Sequence, residues 1–181
     1  AETASVLFVD PTSTNEAPDG SESSPYPSLA AAFAAADHGG TVKLLNNLEM
    51  TASVTIENKV TLDLNGKTIS VAINPTTEVG MQDASTTTTP ATSSAFVVTG
   101  NGYFTVKNGK IIGKSGFNNR AIEGSGTCTI ALEGLTVSGF SASEHGGGLK
   151  VASMDNETYY GQGTVTISKC DFNHNSSGEN G

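Results

Sequence analysis

Apolar residues along this chain alternate with polar ones in short runs, and the runs recur. Val42 and Leu44, Val54 and Ile56, then Val60, Leu62 and Leu64 occupy every second position of their segments, as do Phe104 and Val106, Cys128, Ile130 and Leu132, and Val165 and Ile167. A period of two marks a strand with one buried face. Three stretches, Ala95–Ser115, Arg120–Ser143 and Gly148–Ser177, can be written under one another. Each opens on a short apolar strand (Phe96-Val97-Val98, Ala121-Ile122, Leu149-Lys150-Val151) and turns at a glycine. Each then runs through the alternating strand and closes on a third apolar piece (Ile111-Ile112, Leu135-Thr136-Val137, Phe172). With the glycine before the second strand as marker, Gly102, Gly126 and Gly163 lie 24 and 37 residues apart, and the surplus of the last interval falls in Met154–Gln162. A period in the twenties with length changes confined to one corner is what stacked coils produce, each burying its apolar side against its neighbours. The pattern predicts an all-β solenoid, a parallel β-helix, in which Ile130 lies beside Val106 and Ile167 of adjacent coils.

The first half follows the same scheme with one interruption. Asn65-Gly66-Lys67 precedes Ile69 as Asn108-Gly109-Lys110 precedes Ile112, an offset of 43 residues that amounts to a coil plus an insertion. The insertion, residues 74–94, contains Thr86-Thr87-Thr88-Thr89, Pro75 and Pro90 and almost nothing apolar, so a surface excursion is expected there. Residues 1–40 read as an N-terminal cap, and residues 41–181 as coils. Within the cap Ser28 can start a short helix over about 28–38, with Leu29, Ala32, Phe33 and Ala36 on one face and Gly39-Gly40 as the stop. Such a helix can cover the apolar end of the first coil. Ser143-Glu144-His145-Gly146 precedes a strand and Ser177-Gly178-Glu179-Asn180-Gly181 resembles it, so the chain reads as the N-terminal part of a longer solenoid. An uncovered last coil, with Ile167 and Phe172, is expected to self-associate through the C-terminal end or to be poorly ordered.

Composition narrows the partners. The 181 residues carry 9 basic and 18 acidic side chains, and Arg120 is the only arginine. Nucleic acid and anionic lipid are recognised by clustered Lys and Arg, so neither is an expected partner. No apolar run approaches a membrane span, and the opening Ala-Glu-Thr-Ala is not a basic, apolar leader. Export would then mean a leader already removed. The two cysteines do not form an expected bridge. Aligning Val165 with Cys128 places Cys170 five positions further along a coil, on the order of 15 Å at strand spacing, beyond the roughly 7 Å Cα limit of a disulfide. Cys128 reads as a small core residue and Cys170 as a corner residue.

Particular segments resemble a known group. Val6-Leu7-Phe8-Val9-Asp10-Pro11, Pro25-Tyr26-Pro27-Ser28-Leu29-Ala30-Ala31-Ala32 and Gly39-Gly40-Thr41-Val42-Lys43-Leu44-Leu45 resemble the N-terminal cap and first coil of right-handed parallel β-helix proteins of the pectin-lyase-like superfamily. Gly147-Gly148-Leu149 and Phe172-Asn173-His174-Asn175 are similar to the Gly-Gly-Ala-Ile and Phe-x-x-Asn repeats of polymorphic outer-membrane proteins and related bacterial adhesins. The resemblance implies a right-handed coil and an extracellular protein, secreted or attached to a bacterial cell surface. The superfamily includes polysaccharide lyases and hydrolases as well as non-catalytic surface domains, so fold alone leaves activity open.

Candidate chemistry is sparse. The resemblance implies, for a lyase, calcium-holding carboxylates with an Arg or Lys base. Arg120 has only Glu123 near it in sequence and reads as a solvated strand-edge charge. A hydrolase of the superfamily would show paired aspartates and Gly-His-Gly, which this chain lacks. A two-carboxylate site could be drawn across coils from Asp63, Glu123, Glu133 or Asp171, but nothing in the sequence selects a pair. Asp10, Asn15 and Asp19 with Gly20 form a turn-rich acidic loop that could offer oxygen ligands to calcium, the only cofactor the residues suggest. His38, His145 and His174 lie far apart in the repeat and only Cys170 with His174 stands at ligand spacing, so zinc is not expected. Asn173 and Asn175 suit corners where inward amides satisfy the turning backbone. The enlarged corner, with Asp155, Glu157, Tyr159 and Tyr160, is the candidate ligand site, because repeat proteins place binding groups in loops that break their regularity, and tyrosine stacks on sugars or fills interfaces. The sequence thus points to a non-catalytic, adhesin-like domain binding a glycan or a partner protein, with a carbohydrate-active enzyme or a structural spacer as the alternatives.

Overall fold

The computed structural model describes residues 5–36, 39–74, 92–143, 145–151 and 163–178, and the backbone alone of 154–155 and 158–159. The described chain is mostly β, in two parallel sheets. The first runs β1 (Val6–Val9), β2 (Thr41–Leu44), β5 (Lys59–Asp63), β8 (Tyr103–Gly113), β10 (Thr129–Ser138) and β15 (Thr164–Ser168), each parallel to the next. Beyond its corner β3 (Leu48–Met50) pairs with β6 (Thr68–Val71), β6 with the far half of β8, and β16 (Asp171–Asn173) with the far half of β10. The second sheet is β4 (Val54–Ile56), β7 (Ser93–Val98), β9 (Asn119–Gly124), β11 (Ser141–Ala142) and β17 (Ser176–Ser177), with β12 (Leu149–Val151) also beside β9. Its pairs are parallel except for a single antiparallel contact, Ser141 with Asn119.

The alternation read from the sequence is what the sheets bury. Val42, Leu62, Val106 and Leu132 stand opposite one another on successive passes and are buried. Val60, Phe104 and Ile130 form a second ladder, and Ile69, Ile111 and Val137 a third, all buried. Phe96 of the second sheet meets Phe104 of the first with ring centroids 5.1 Å apart, so one core lies between the two sheets. Helix α1 (Leu29–Ala35) starts where Ser28 predicts, its Oγ accepting from Ala31 N at 3.2 Å. Leu29 and Ala32 are buried, and Phe33 packs edge-on against Phe104 at 6.1 Å. The helix ends by Ala36, short of Gly39. Of the expected surface excursion 74–94, residues 75–91 lie outside the described residues, and Ser93–Ser94 already belong to β7.

The register differs from the expected one by two residues. Ile130 stands opposite Phe104 and Val165, while Leu132 takes Val106 and Ile167. The two-residue difference comes from two distinct requirements that glycine meets. Gly100 and Gly126 are the equivalent pair, both left-handed (φ 58° and 73°) at the turn. Gly102 is a glycine for lack of space, since a Cβ there would sit 2.6 Å from Ile56 O; its equivalents are Cys128 and Gly163. The passes therefore advance by 26 residues from β8 to β10 and by 35 from β10 to β15. The 43-residue offset likewise holds only at the corner, where Asn65 and Asn108 are both left-handed (φ 51° and 62°). Before that corner the strands pair at 44 residues and after it at 42, because the earlier turn is two residues longer.

The same left-handed corner continues as Gly134 (φ 61°) and Lys169 (φ 54°). Asparagine is well suited there, because its short side chain bonds locally. Asn65 Nδ2 donates to Leu44 O at 3.0 Å, and Asn108 Nδ2 to Asp63 Oδ1 at 3.2 Å.

Candidate functional site

The enlarged corner stands apart from both sheets. Between β12 and β15 the backbone forms β13 (Met154–Asp155) and β14 (Thr158–Tyr159), an antiparallel pair with Met154 opposite Tyr159 and Asp155 opposite Thr158. The flanking strands do not feel it. β12 stays in register with β9, and β15, β16 and β17 all keep one 35-residue step to their partners. Between Val151 and Thr164 the chain is eight residues longer than between Gly124 and Thr129, and the ninth residue of the 35-residue step enters before β12, which already stands 27 residues from its partner. On the two earlier passes this corner is closed by the tight turns at Gly100 and Gly126. Of the candidate ligand residues, the hairpin backbone carries Asp155 and Tyr159, while Glu157 and Tyr160 lie outside the described residues.

Arg120 is not the solvated charge expected of it. Its side chain is 3 % exposed and lies in a network drawn from three passes. Nη1 meets Glu123 Oε2 at 2.8 Å and Ser94 Oγ at 3.3 Å, Nη2 donates to His145 O at 2.7 Å, and Nε donates to Gly146 O at 2.8 Å. Ser94 Oγ donates to the same Glu123 oxygen at 2.7 Å, and Lys150 Nζ stands 3.8 Å from the other. A guanidinium can be buried only when its donors are matched, and the loop carbonyls together with the half-buried Glu123 carboxylate match them. The arrangement fastens the 145–146 turn to β7 and β9. It leaves Glu123 with an arginine, a serine and a lysine around it and, among the described residues, no second carboxylate at hydrogen-bond distance. The sequence had offered Arg120 and Glu123 but not Ser94 or Lys150, which only the 26- and 27-residue steps of the second sheet bring alongside.

In the acidic N-terminal loop, the carboxylates serve their own turns. Asp10 Oδ1 accepts from Thr12 Oγ1 at 2.6 Å and Thr12 N at 2.8 Å, and Oδ2 accepts from Asn46 Nδ2 at 2.9 Å. The Thr12 hydroxyl is the main reason its carboxyl is held below the ordinary aspartate value. Asp19 is lowered in the same sense, first by Ser21 through its side chain, and its Oδ1 accepts from Ser21 N at 2.9 Å. Asn15 turns its amide to Ser24 Oγ at 2.7 Å. Among the described residues no three His, Cys, Asp or Glu side chains converge as a metal site.

Two further expectations meet geometry. Asn175 does serve a corner: its Oδ1 accepts from Phe140 N at 3.1 Å, and its Nδ2 donates to Val137 O at 2.9 Å. Asn119 does the same for Ile73 N and O, at 3.0 and 2.9 Å; sequence reading had passed it over. Asn173 instead donates to Asp171 Oδ2 at 2.7 Å. Cys128 and Cys170 are both free thiols; Cys128 is buried in the core, and that burial pushes its thiol up. Compared with known families, curated proteins and solved structures, the chain matches none.

Proposed function

We propose that this chain is a right-handed parallel β-helix solenoid of an exported bacterial surface protein, acting as a non-catalytic, adhesin-like scaffold that presents the 154–162 corner to a glycan or a protein ligand. One observation carries the reading. Eight extra residues, which carry the β13–β14 pair, enter between β12 and β15, while β15, β16 and β17 keep one step to their partners and β12 stays paired with β9. An insertion that contributes to neither sheet serves something other than the fold, and a regular scaffold is the usual carrier of such loops. The resemblance of the chain's cap and repeats to pectin-lyase-like proteins and adhesins supports the coil and its handedness, and the two facing parallel sheets suit it. Tyr159 and Tyr160 supply flat apolar area with a polar tip, and Asp155 and Glu157 supply acceptors for hydroxyls. The carboxylate best placed for an enzymatic reading, Glu123, is occupied by Arg120 and Ser94, which favours binding over catalysis.

The test is a glycan array read beside a polysaccharide depolymerisation screen. The 181-residue chain is expected to bind a subset of glycans. Removal of the eight residues 154–161, which restores the five-position link of the two preceding passes, is expected to leave the melting curve in place and cut that binding at least about tenfold, the loss of roughly 1.4 kcal/mol. Depolymerisation of any polysaccharide, or glycan binding that survives the deletion, overturns the reading.

A further inference from the structure

The outward face of the first sheet gathers cations that the sequence scatters. Val42, Leu62, Val106 and Leu132 point into the core, so the residues on either side of each point to solvent. One outward ladder runs Lys43, Asp63, Lys107, Glu133 across four successive strands, and the next runs Thr41, Thr61, Thr105, Ala131. In a third, Lys59 stands opposite Tyr103, its Nζ 5.3 Å from the ring centroid, and Tyr103 is 38 % exposed. Three of the eight lysines of a chain with a net charge of −9 thus share one small surface.

These three ammonium groups are not matched within the chain. Among the described residues lysine pairs with a carboxylate at two places, Lys114 with Glu49 and Lys150 with Glu123. Asp63 lies between Lys43 and Lys107 on the ladder, yet its Oδ1 accepts from Asn65 N at 2.9 Å and from Asn108 Nδ2 at 3.2 Å. We infer that this face binds an acidic polysaccharide, a linear polymer with a carboxylate or sulfate on alternate rings, lying across β2, β5, β8 and β10. The inference rests on the glycan-binding reading above and names the class of glycan. Thr164, two residues past the 154–162 corner, continues the row of Tyr103 and Thr129, so a polymer held at that corner is led onto this face. Lys43 and Lys107 are two strand spacings apart, about 9.6 Å, which is close to the advance of two rings in a linear polysaccharide. Asp63 and Glu133, on the alternate strands, then meet the uncharged ring and accept from its hydroxyls, and the threonine row donates to or accepts from the same groups. Tyr103 adds flat apolar area for a ring. A nucleic-acid strand, with a charge about every 3.4 Å, would set phosphates against both carboxylates. The acidic remainder of the surface repels a polyanion, so the lysines also fix where it lands.

Titration calorimetry with three probes tests this: hyaluronan, which carries one carboxylate on every second ring, neutral dextran, and a single-stranded oligonucleotide. Hyaluronan is expected to bind most tightly, and to bind less tightly as salt rises. The double variant Lys43→Gln, Lys107→Gln is expected to lose about tenfold in hyaluronan affinity at low salt with an unchanged melting curve. Glu133→Gln removes an exposed carboxylate from the ladder and is expected to strengthen binding of alginate, which is charged on every ring; it decides the matter even where the double variant does not fold. Hyaluronan binding that ignores salt, survives the double substitution or is equalled by dextran or the oligonucleotide overturns the inference, as does alginate binding unmoved by Glu133→Gln. A loss in the double variant with none on removal of 154–161 overturns the corner reading alone, and the reverse overturns this one alone. Failure to bind any polysaccharide overturns both.

Discussion

Phe8 on β1 and Val165 and Ile167 on β15 occupy corresponding places at the two ends of one sheet: each sits on an edge strand with its backbone groups turned outward. At the first edge the chain doubles back. Gly20 and Tyr26 take both groups of Phe8, Asp10 N donates to Tyr26 O at 2.9 Å, and α1 packs Leu29 and Ala32 into the core nearby. At the other edge none of the described residues performs that service, and Val165, Ile167 and Phe172 stand partly exposed in ladders whose other members are buried. The same alternating sequence is thus buried where a further pass covers it and partly exposed where, among the described residues, none does.

The comparison is tested most strongly by one substitution made at two levels of a single ladder. Leu132→Ala, in a covered pass, is expected to cost about 2–5 kcal/mol of unfolding free energy. Ile167→Ala, its exposed counterpart, is expected to cost less than about 1 kcal/mol. Urea unfolding at a dilution that keeps chains apart measures both, and similar losses would mean that β15 is covered after all. The next effect concerns the closed edge. Gly20 is left-handed (φ 82°), and a Cβ on it would lie 2.6 Å from Tyr26 Cε2 and 2.7 Å from Leu7 Cδ2. Gly20→Ala is therefore expected to destabilise by about 2–4 kcal/mol, from backbone strain and overpacking together. Hydrogen exchange should show the Phe8 and Asp10 amides losing protection first; a uniform loss across the sheet would remove the special role given to that clamp. The smallest effect lies at the open end. Lys169 holds the left-handed corner that Asn65, Asn108 and Gly134 hold elsewhere, and it is exposed. Lys169→Gly is expected to stabilise the chain by about 0.5–1 kcal/mol, visible as a higher melting temperature. A lower one would show that the lysine side chain contributes a contact there.

The strands were legible in the sequence because burial on one face imposes a period of two, and the capping helix because Ser28 and its apolar stripe are local signals. The exact register was not. Glycine marks both a left-handed turn and a close backbone approach, and Gly102 and Gly126 differ in which of these they satisfy. Arg120 was visible as the only arginine, but its burial depends on the carbonyls of His145 and Gly146, 25 and 26 residues away. The enlarged corner was found from length alone, since inserting Met154–Gln162 changes the step without changing the pattern around it.

By itself the sequence determined which side chains face inward, where the helix starts, and where one pass is longer than the others. These depend on neighbours in the chain, whose geometry a dipeptide or a helical turn already sets. Only the tertiary structure decided which residue stands opposite which, that Arg120 is buried with Glu123 and Ser94, and that Phe8 is clamped while Val165 and Ile167 are left open. Those outcomes turn on pairings between passes, at steps of 20, 26 and 35 residues in the first sheet, and on the clamping of Phe8 by residues 12 and 18 positions on, where turn length by one or two residues shifts the partner and no local preference can compensate.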